Sequence, residues 1–230
     1  MHPITLPAQH RLTALAAALP LAAGWALHTA LYRRRLEQAR RDPLTNLPTR
    51  DLFTARAEKL THHPDATVLV IDLDKFKEVN DSFGHQAGDA VLFAAAHQLD
   101  QWTGRAGVAG RIGGDEFAAV VTIAPDQLTA RLDELTSALH QPLTWQGQRI
   151  GRGASIGAAR LTGLPEPTVG AALTAADAAM YTAKHGLRGW HQHTPTDAVE
   201  PRRWRRNRPH PNTTSDGAAP DNGHDADWLR

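Results

Sequence analysis

Residues 107–123 read Gly107-Val108-Ala109-Gly110-Arg111-Ile112-Gly113-Gly114-Asp115-Glu116-Phe117-Ala118-Ala119-Val120-Val121-Thr122-Ile123. Two apolar, β-rich runs, 107–111 and 117–123, flank a pair of glycines, and paired glycines between strand-like runs signal a hairpin. The pattern therefore predicts two neighbouring strands with the carboxylates of Asp115 and Glu116 at their turn. Upstream, Thr67 to Leu73 is a continuous aliphatic and β-branched run, as expected of a strand covered on both faces, and it closes on Asp72-Leu73-Asp74. Helical periodicity predicts helices over Thr49 to His62, Ala87 to Trp102, Pro125 to His140 and Val169 to His185, with another strand over Gly153 to Leu161. Alternating strands and helices predict an α/β (α+β) domain around a mixed sheet.

The composition narrows the chemistry. The 230 residues are 41% hydrophobic and 21% charged, which is a globular composition, and they contain no cysteine. Disulfides, thiolate metal sites and cysteine nucleophiles are excluded together. The net charge of +1 hides a strong asymmetry. Residues 1–41 hold six arginines against one glutamate, residues 42–193 hold 13 basic against 17 acidic side chains, and residues 194–230 balance six against six. An acidic body argues against nucleic-acid binding, which calls for a basic stripe, and in favour of a divalent cation.

Three regions follow: a leader over 1–41, a body over 42–193 and a tail over 194–230. Leu12 to Tyr32 is free of charge over 21 positions, a helix of roughly 31 Å, about a bilayer's hydrocarbon thickness. Arg33, Arg34, Arg35, Arg40 and Arg41 follow it, while only Arg11 precedes it. The expectation is a single-pass membrane helix with the body in the cytoplasm; the alternative is an Ala-rich soluble helix on a cytoplasmic protein. The tail, with Pro195, Pro201, Pro209, Pro211 and Pro220 among Arg, Asn and Asp, is expected to be disordered.

Within the body, Asp72 falls inside a buried strand, where an ionised carboxylate is costly without a cation or a donor. Asp74 is expected to cap the helix that opens at Lys75-Phe76-Lys77. Gly113 and Gly114 leave room for phosphates to approach the backbone. If the hairpin lies beside the first strand, Asp72 and Asp115 share a hard cation, Mg²⁺ being suited because it takes oxygen ligands and keeps phosphates in its shell. Such ions clamp a nucleoside triphosphate and activate a hydroxyl.

Gly113-Gly114-Asp115-Glu116-Phe117 is the signature pentapeptide of the GGDEF family, the diguanylate cyclases. A given pentapeptide arises by chance in a chain of this length about once in ten thousand. Other blocks resemble the family in order: Asp42-Pro43-Leu44-Thr45-Asn46-Leu47-Pro48-Thr49-Arg50, Asp72 through Lys77, Asn80 through Phe83-Gly84-His85 to Gly88-Asp89, Ala154-Ser155-Ile156-Gly157, and Ala176-Asp177 through Met180-Tyr181 to Lys184. The resemblance covers about 42–193 and implies a palm-like nucleotide-cyclase fold with a central mixed, mostly antiparallel sheet flanked by helices.

Residue by residue, the resemblance implies that Asp72, the Leu73 carbonyl and Asp115, assisted by Glu116, hold Mg²⁺ or Mn²⁺. Asp115 or Glu116 would take the proton from a ribose 3′-hydroxyl that attacks the α-phosphate of a second GTP. Asn80 and Asp89 would read guanine, whose mixed donor and acceptor edge an amide and a carboxylate can match, and His85 would line the same pocket. Lys77, Lys184 and Arg188 would neutralise the triphosphate. The working state would be a homodimer, one GTP held by each half-site, at the inner membrane of a bacterial cell, making the second messenger cyclic di-GMP.

Three departures from the family pattern stand out. Its product-inhibition motif, Arg-x-x-Asp, is replaced at the matching positions by Gly104 and Gly107, so inhibition through that site is not expected, although Arg111 could still touch product. Asn46 and Thr49 replace the usual Gly and Asn, and Asn46 tolerates left-handed geometry. The Lys-x-x-Gly-Arg block reads Lys184-His185-Gly186-Leu187-Arg188, with its glycine one place early. The competing readings are a degenerate domain that binds GTP and signals by protein contact, which intact Asp72, Asp115 and Glu116 argue against and the altered Arg188 block leaves open, and an adenylate-type cyclase, which would need another pair than Asn80 and Asp89 to read its base.

Overall fold

The computed structural model describes residues 23–32 and 38–197. At its centre lies β1 (Ala66–Leu73), buried at every position because it has a neighbour on both sides. It pairs antiparallel with β3 (Glu116–Thr122) and with β6 (Ala154–Arg160). With β2 (Val108–Arg111) and β7 (Trp190–Gln192) these form a five-stranded sheet in the order β2-β3-β1-β6-β7. Only the β6–β7 pair is parallel, so the mixed, mostly antiparallel sheet expected from the family resemblance is what the chain forms.

Helix α1 is described over 23–32. Within the domain, helices α2 (Arg50–Ala57), α3 (Phe76–Phe83), α4 (His85–Thr103), α5 (Leu128–Leu139) and α6 (Val169–His185) surround the sheet. Side chains alternate across a strand, so Leu69, Ile71 and Leu73 enter one core with Val91, Leu92 and Leu99 of α4 and Leu132 and Leu135 of α5. Each large aliphatic side chain so buried contributes roughly 1.5–3 kcal/mol. The opposite face carries α2 and α6. These helices press on the sheet at its glycines: a Cβ on Gly110 would lie 2.7 Å from the Phe53 side chain, and one on Gly157 only 1.9 Å from the Ala176 carbonyl oxygen.

Several elements differ from the sequence expectation. The helix expected to reach His62 ends at Ala57 and continues as turns. A second hairpin, β4 (Leu143–Trp145) with β5 (Gln148–Ile150), was not anticipated; Gln146 and Gly147 form its turn with φ of 47° and 80°. At the start of the expected tail, the Thr194 N–H donates to the Asp197 carboxylate at 2.6 Å, and Asp197 also meets His191 at 3.0 Å. Burial works against charge on Asp197, but these partners outweigh it and hold its carboxyl below the usual value. The disorder expected further on concerns residues outside the described ones.

The described residues do not support the expected N-terminal membrane helix. Among the described residues no helix is long and apolar enough to cross a membrane. The described part, 23–32, extends only about 15 Å as a helix, half the hydrocarbon core of a bilayer. The remainder of the uncharged run, 12–22, lies outside the described residues.

Candidate active site

The register of the sheet brings the first carboxylates together. Asp72 sits opposite Glu116 on β3 and opposite Ser155 on β6, and directly opposed residues share a sheet face. Asp72 is 9% exposed. Burial pushes its carboxyl above the usual value, Lys184 opposes that rise, and Asp115 and Asp74 add to it. Glu116 is also pushed up, first by burial and then by Asp72, Asp115 and Asp177, with Arg50 opposing. The cluster is a confined negative field that calls for a cation.

A cation is present. Lys184 Nζ lies 2.8 Å from Asp72 Oδ1, at the last turn of the helix that Gly157 allows to close on β6. The signature turn delivers Asp115: the Ile112 and Gly113 N–H groups both donate to the Glu116 carbonyl, and the Leu73 N–H donates to the Asp115 carbonyl at 3.2 Å. Gly113 is packed from behind, since a Cβ there would lie 2.6 Å from Glu116 Oε2, whereas Gly114 faces open space.

Asp74 does not cap α3. The residue at the cap is Lys75, in left-handed geometry with φ 56° and no side-chain cap bond. Asp74 Oδ1 instead accepts from Ser155 Oγ at 2.7 Å, a partner 81 residues away.

A second cluster forms where α3 meets α4. Gly84, with φ 83°, breaks the two helices apart, and Asn80, near the end of α3, then folds against the first turns of α4. A Cβ on Gly88 would lie 2.0 Å from Asn80 Oδ1, so the Asn80 amide rests one residue from Asp89. Asp89, His85 and Lys77 are exposed. A groove of about 870 Å³ starts at Asp89 and runs along α4 to β4, lined by Leu44, Phe93, Trp145 and Arg152. Arg188 is engaged elsewhere, its guanidinium 5.3 Å from the centre of the Trp190 ring, and neighbouring Leu187 is fully exposed.

Two arginines around the signature turn were not assigned these partners from the sequence. Arg50 donates from Nε and Nη2 to the Ile112 carbonyl at 3.2 and 2.9 Å. Arg111 donates from Nε and Nη2 to the Gly114 carbonyl and from Nη1 to Asp42 at 3.0 Å. Burial opposes the charge on Asp42, but Thr45 and Arg111 outweigh it and keep its carboxyl below the usual range. Asn46 takes the left-handed conformation the sequence allowed, φ 57°. A lone aspartate in the alanine-rich stretch 175–179 was the available signal for Asp177, which is buried beside this network.

Among the described residues no three His, Asp or Glu side chains stand ready as a metal cluster. Magnesium does not need one, because it is held by one or two carboxylates and completes its shell with substrate phosphates and water. The donor types at the strand end fit such an ion: they are all oxygen, with a buried carboxylate that already draws an ammonium to 2.8 Å.

Comparison with known proteins identifies the lineage. The sequence profile described as "Diguanylate cyclase, GGDEF domain" matches residues 39–189. An uncharacterized 19.3 kDa protein of the repSA 5′ region of Streptomyces ambofaciens is 56% identical over 167 residues, covering 72% of this chain and 89% of that protein. Diguanylate cyclase TpbB of Pseudomonas aeruginosa is 35% identical over 164 residues, covering 66% of this chain but only 37% of TpbB. The chain thus spans little more than a third of that relative's length. A crystal structure of the coiled coil and GGDEF domain of DgcB from Caulobacter crescentus, in complex with c-di-GMP, aligns with a TM-score of 0.64 and 25% identity, covering 78% of this chain and 98% of that one. Since the profile spans most of the body and the solved fold matches the sheet and helices described above, the chain belongs to the GGDEF family of diguanylate cyclases.

Proposed function

We propose that the chain is a catalytically active diguanylate cyclase that condenses two GTP into cyclic di-GMP and two pyrophosphates. The observation that carries this reading is the crowding of the Asp72 and Glu116 carboxylates, opposite each other across β1 and β3, beside the cationic Lys184. A degenerate binding domain would have no need to retain so unfavourable a cluster.

Asp72, the Leu73 carbonyl and Asp115 would hold a divalent cation, Mg²⁺ or Mn²⁺, with Glu116 at its border. When bound, it supplies charge to the α-phosphate and lowers the barrier to deprotonating the attacking hydroxyl. Asp115 or Glu116 takes the 3′-hydroxyl proton. The 3′-oxygen forms a bond to the α-phosphorus of the other GTP, the α–β anhydride bond breaks, and pyrophosphate leaves with the electron pair. Repetition in the opposite sense closes the ring. Asn80 and Asp89 hold the guanine edge, with His85 beside them, and the backbone at Gly113 and Gly114, open at Gly114, receives the phosphates. Lys184 and Lys77 balance the triphosphate charge; Arg188 would have to leave Trp190 to join them. Because each half-site presents one GTP, the working unit is a homodimer.

Incubation of the purified chain with GTP and Mg²⁺, scored by chromatography, tests the reading. Cyclic di-GMP is expected from the unmodified chain, and a loss of at least a hundredfold from Asp115→Ala. Equal product from both would overturn the site assignment, and GTP binding without product from the unmodified chain would favour the binding-only alternative.

A further inference from the structure

We propose that Lys184 is a built-in counter-ion that occupies the metal seat in the empty protein, so that free divalent cations are resisted and cation and nucleotide load together. This rests on the reading of Asp72 as a metal ligand and goes beyond it, by assigning Lys184 a role before substrate arrives.

The geometry carries the argument. Lys184 Nζ stands 2.8 Å from Asp72 Oδ1, and the two side chains are only 28% and 12% exposed. A Mg²⁺ ion on that oxygen would sit about 2.0–2.1 Å away; on the lone pair that the ammonium holds it would meet Lys184 directly, and on the neighbouring one the two positive charges would still repel each other at close range. A divalent ion arriving there therefore competes with Lys184 for Asp72. Displacing the ammonium strands a positive charge unless a new anion is at hand. A bare cation brings none, whereas a cation carried by a triphosphate brings several phosphate oxygens for the freed ammonium.

The architecture suits an exchange of this kind. The helix bearing Lys184 is fixed by the close approach of Gly157 to Ala176 and Met180, so the backbone holds still while the side chain moves. Lysine has a flexible four-carbon stem and a compact charge that can swing between acceptors. Lys184 lies at the exposed end of α6, followed by exposed residues 185–188, leaving its outward swing unobstructed by core packing. Lys184 pairs with Asp72 while Asp115 and Asp74 repel it, so an incoming cation meets this ammonium at the carboxylate.

The experiment measures Mn²⁺ affinity by electron paramagnetic resonance on the full chain, without turnover. Wild type, Lys184→Met, Lys184→Gln and Asp72→Asn are compared with and without a GTP analogue that cannot be cleaved between its α- and β-phosphates. Circular dichroism confirms that each variant is folded, and the glutamine variant serves if the methionine one is not. Without nucleotide, removal of the lysine charge is expected to tighten Mn²⁺ binding about tenfold, and Asp72→Asn to weaken it strongly. The analogue should then strengthen Mn²⁺ binding more in wild type than in the lysine variants. If the lysine variants bind Mn²⁺ no more tightly than wild type while Asp72→Asn still loses it, the counter-ion role is overturned and the metal site stands. If Asp72→Asn binds Mn²⁺ as wild type does, the metal assignment itself falls, and the counter-ion role with it.

Discussion

Glu116 faces Asp72 across adjacent strands, and Asp115 crowds both groups. Its carboxyl, pushed above the ordinary 4.5 by burial and then by its acidic neighbours, has a sign that can be tested. A raised acid favours folding below the unfolded-state value and loses that advantage as pH rises through the folded-state one. In EDTA the wild type should therefore lose stability on going from about pH 4.5 towards neutrality relative to Glu116→Gln, which carries no titrating group there. Solvent on the open side limits the difference. Urea midpoints at a series of pH values in EDTA measure it, and a Gln variant less stable than wild type at neutral pH would show that Glu116 is relieved by other partners. The residue types of this cluster were legible because a hydrophobic run cannot end in two aspartates without a partner. The partners themselves were less so. Ser155 reaches Asp74 over 81 residues, and no local pattern encodes a contact that only the sheet register creates. Arg111 was placed near bound product by its position alone, yet its donors are taken by Asp42 and Gly114.

At the scale of elements, α6 illustrates how one small residue sets a distance. Met180 N and the Ala176 carbonyl lie 2.2 and 1.9 Å from where a Gly157 Cβ would stand, and backbone atoms do not yield as a flexible side chain does. Gly157→Ala is expected to cost about 3 kcal/mol, the upper end for an overpacked core, and to retract Lys184 from Asp72. Thermal unfolding measures the first effect, and an unchanged melting temperature would mean that the helix shifts freely. Helix α6 was readable from the sequence to the residue, over Val169–His185, because alanine recurs along its length and Thr168 caps its start, accepting from the Ala171 N–H. The β4–β5 hairpin escaped notice for the opposite reason. Its strands are three residues each, shorter than any periodicity can register, and its turn is Gln146-Gly147 rather than one of the asparagine or aspartate pairs that announce a tight reversal. Strand β7 is equally short and borrows its order from pairing with β6.

For the whole molecule, the absence of the family's inhibitory motif is written into the backbone. Gly107 lies where a Cβ would come within 2.6 Å of the Val120 carbonyl oxygen, so an aspartate at that position would require the strand to move. Turnover with and without excess cyclic di-GMP is expected to be the same, and marked inhibition by product bound at this face would contradict the prediction. The family profile covers 39–189, which lies within the body that charge and composition set apart but for its first three residues. What the leader does was not legible from its hydropathy alone, because an uncharged alanine-rich run suits both a bilayer and a water-exposed helix.

The outermost strands, four residues in β2 and three in β7, leave almost no unpaired rungs for another chain to extend. Thr49 bridges to Arg111 on one of those borders as well. Two copies therefore have little to gain from merging their ladders side by side, which leaves the rim that carries Asp72, Asp115 and Gly114 free of that competition.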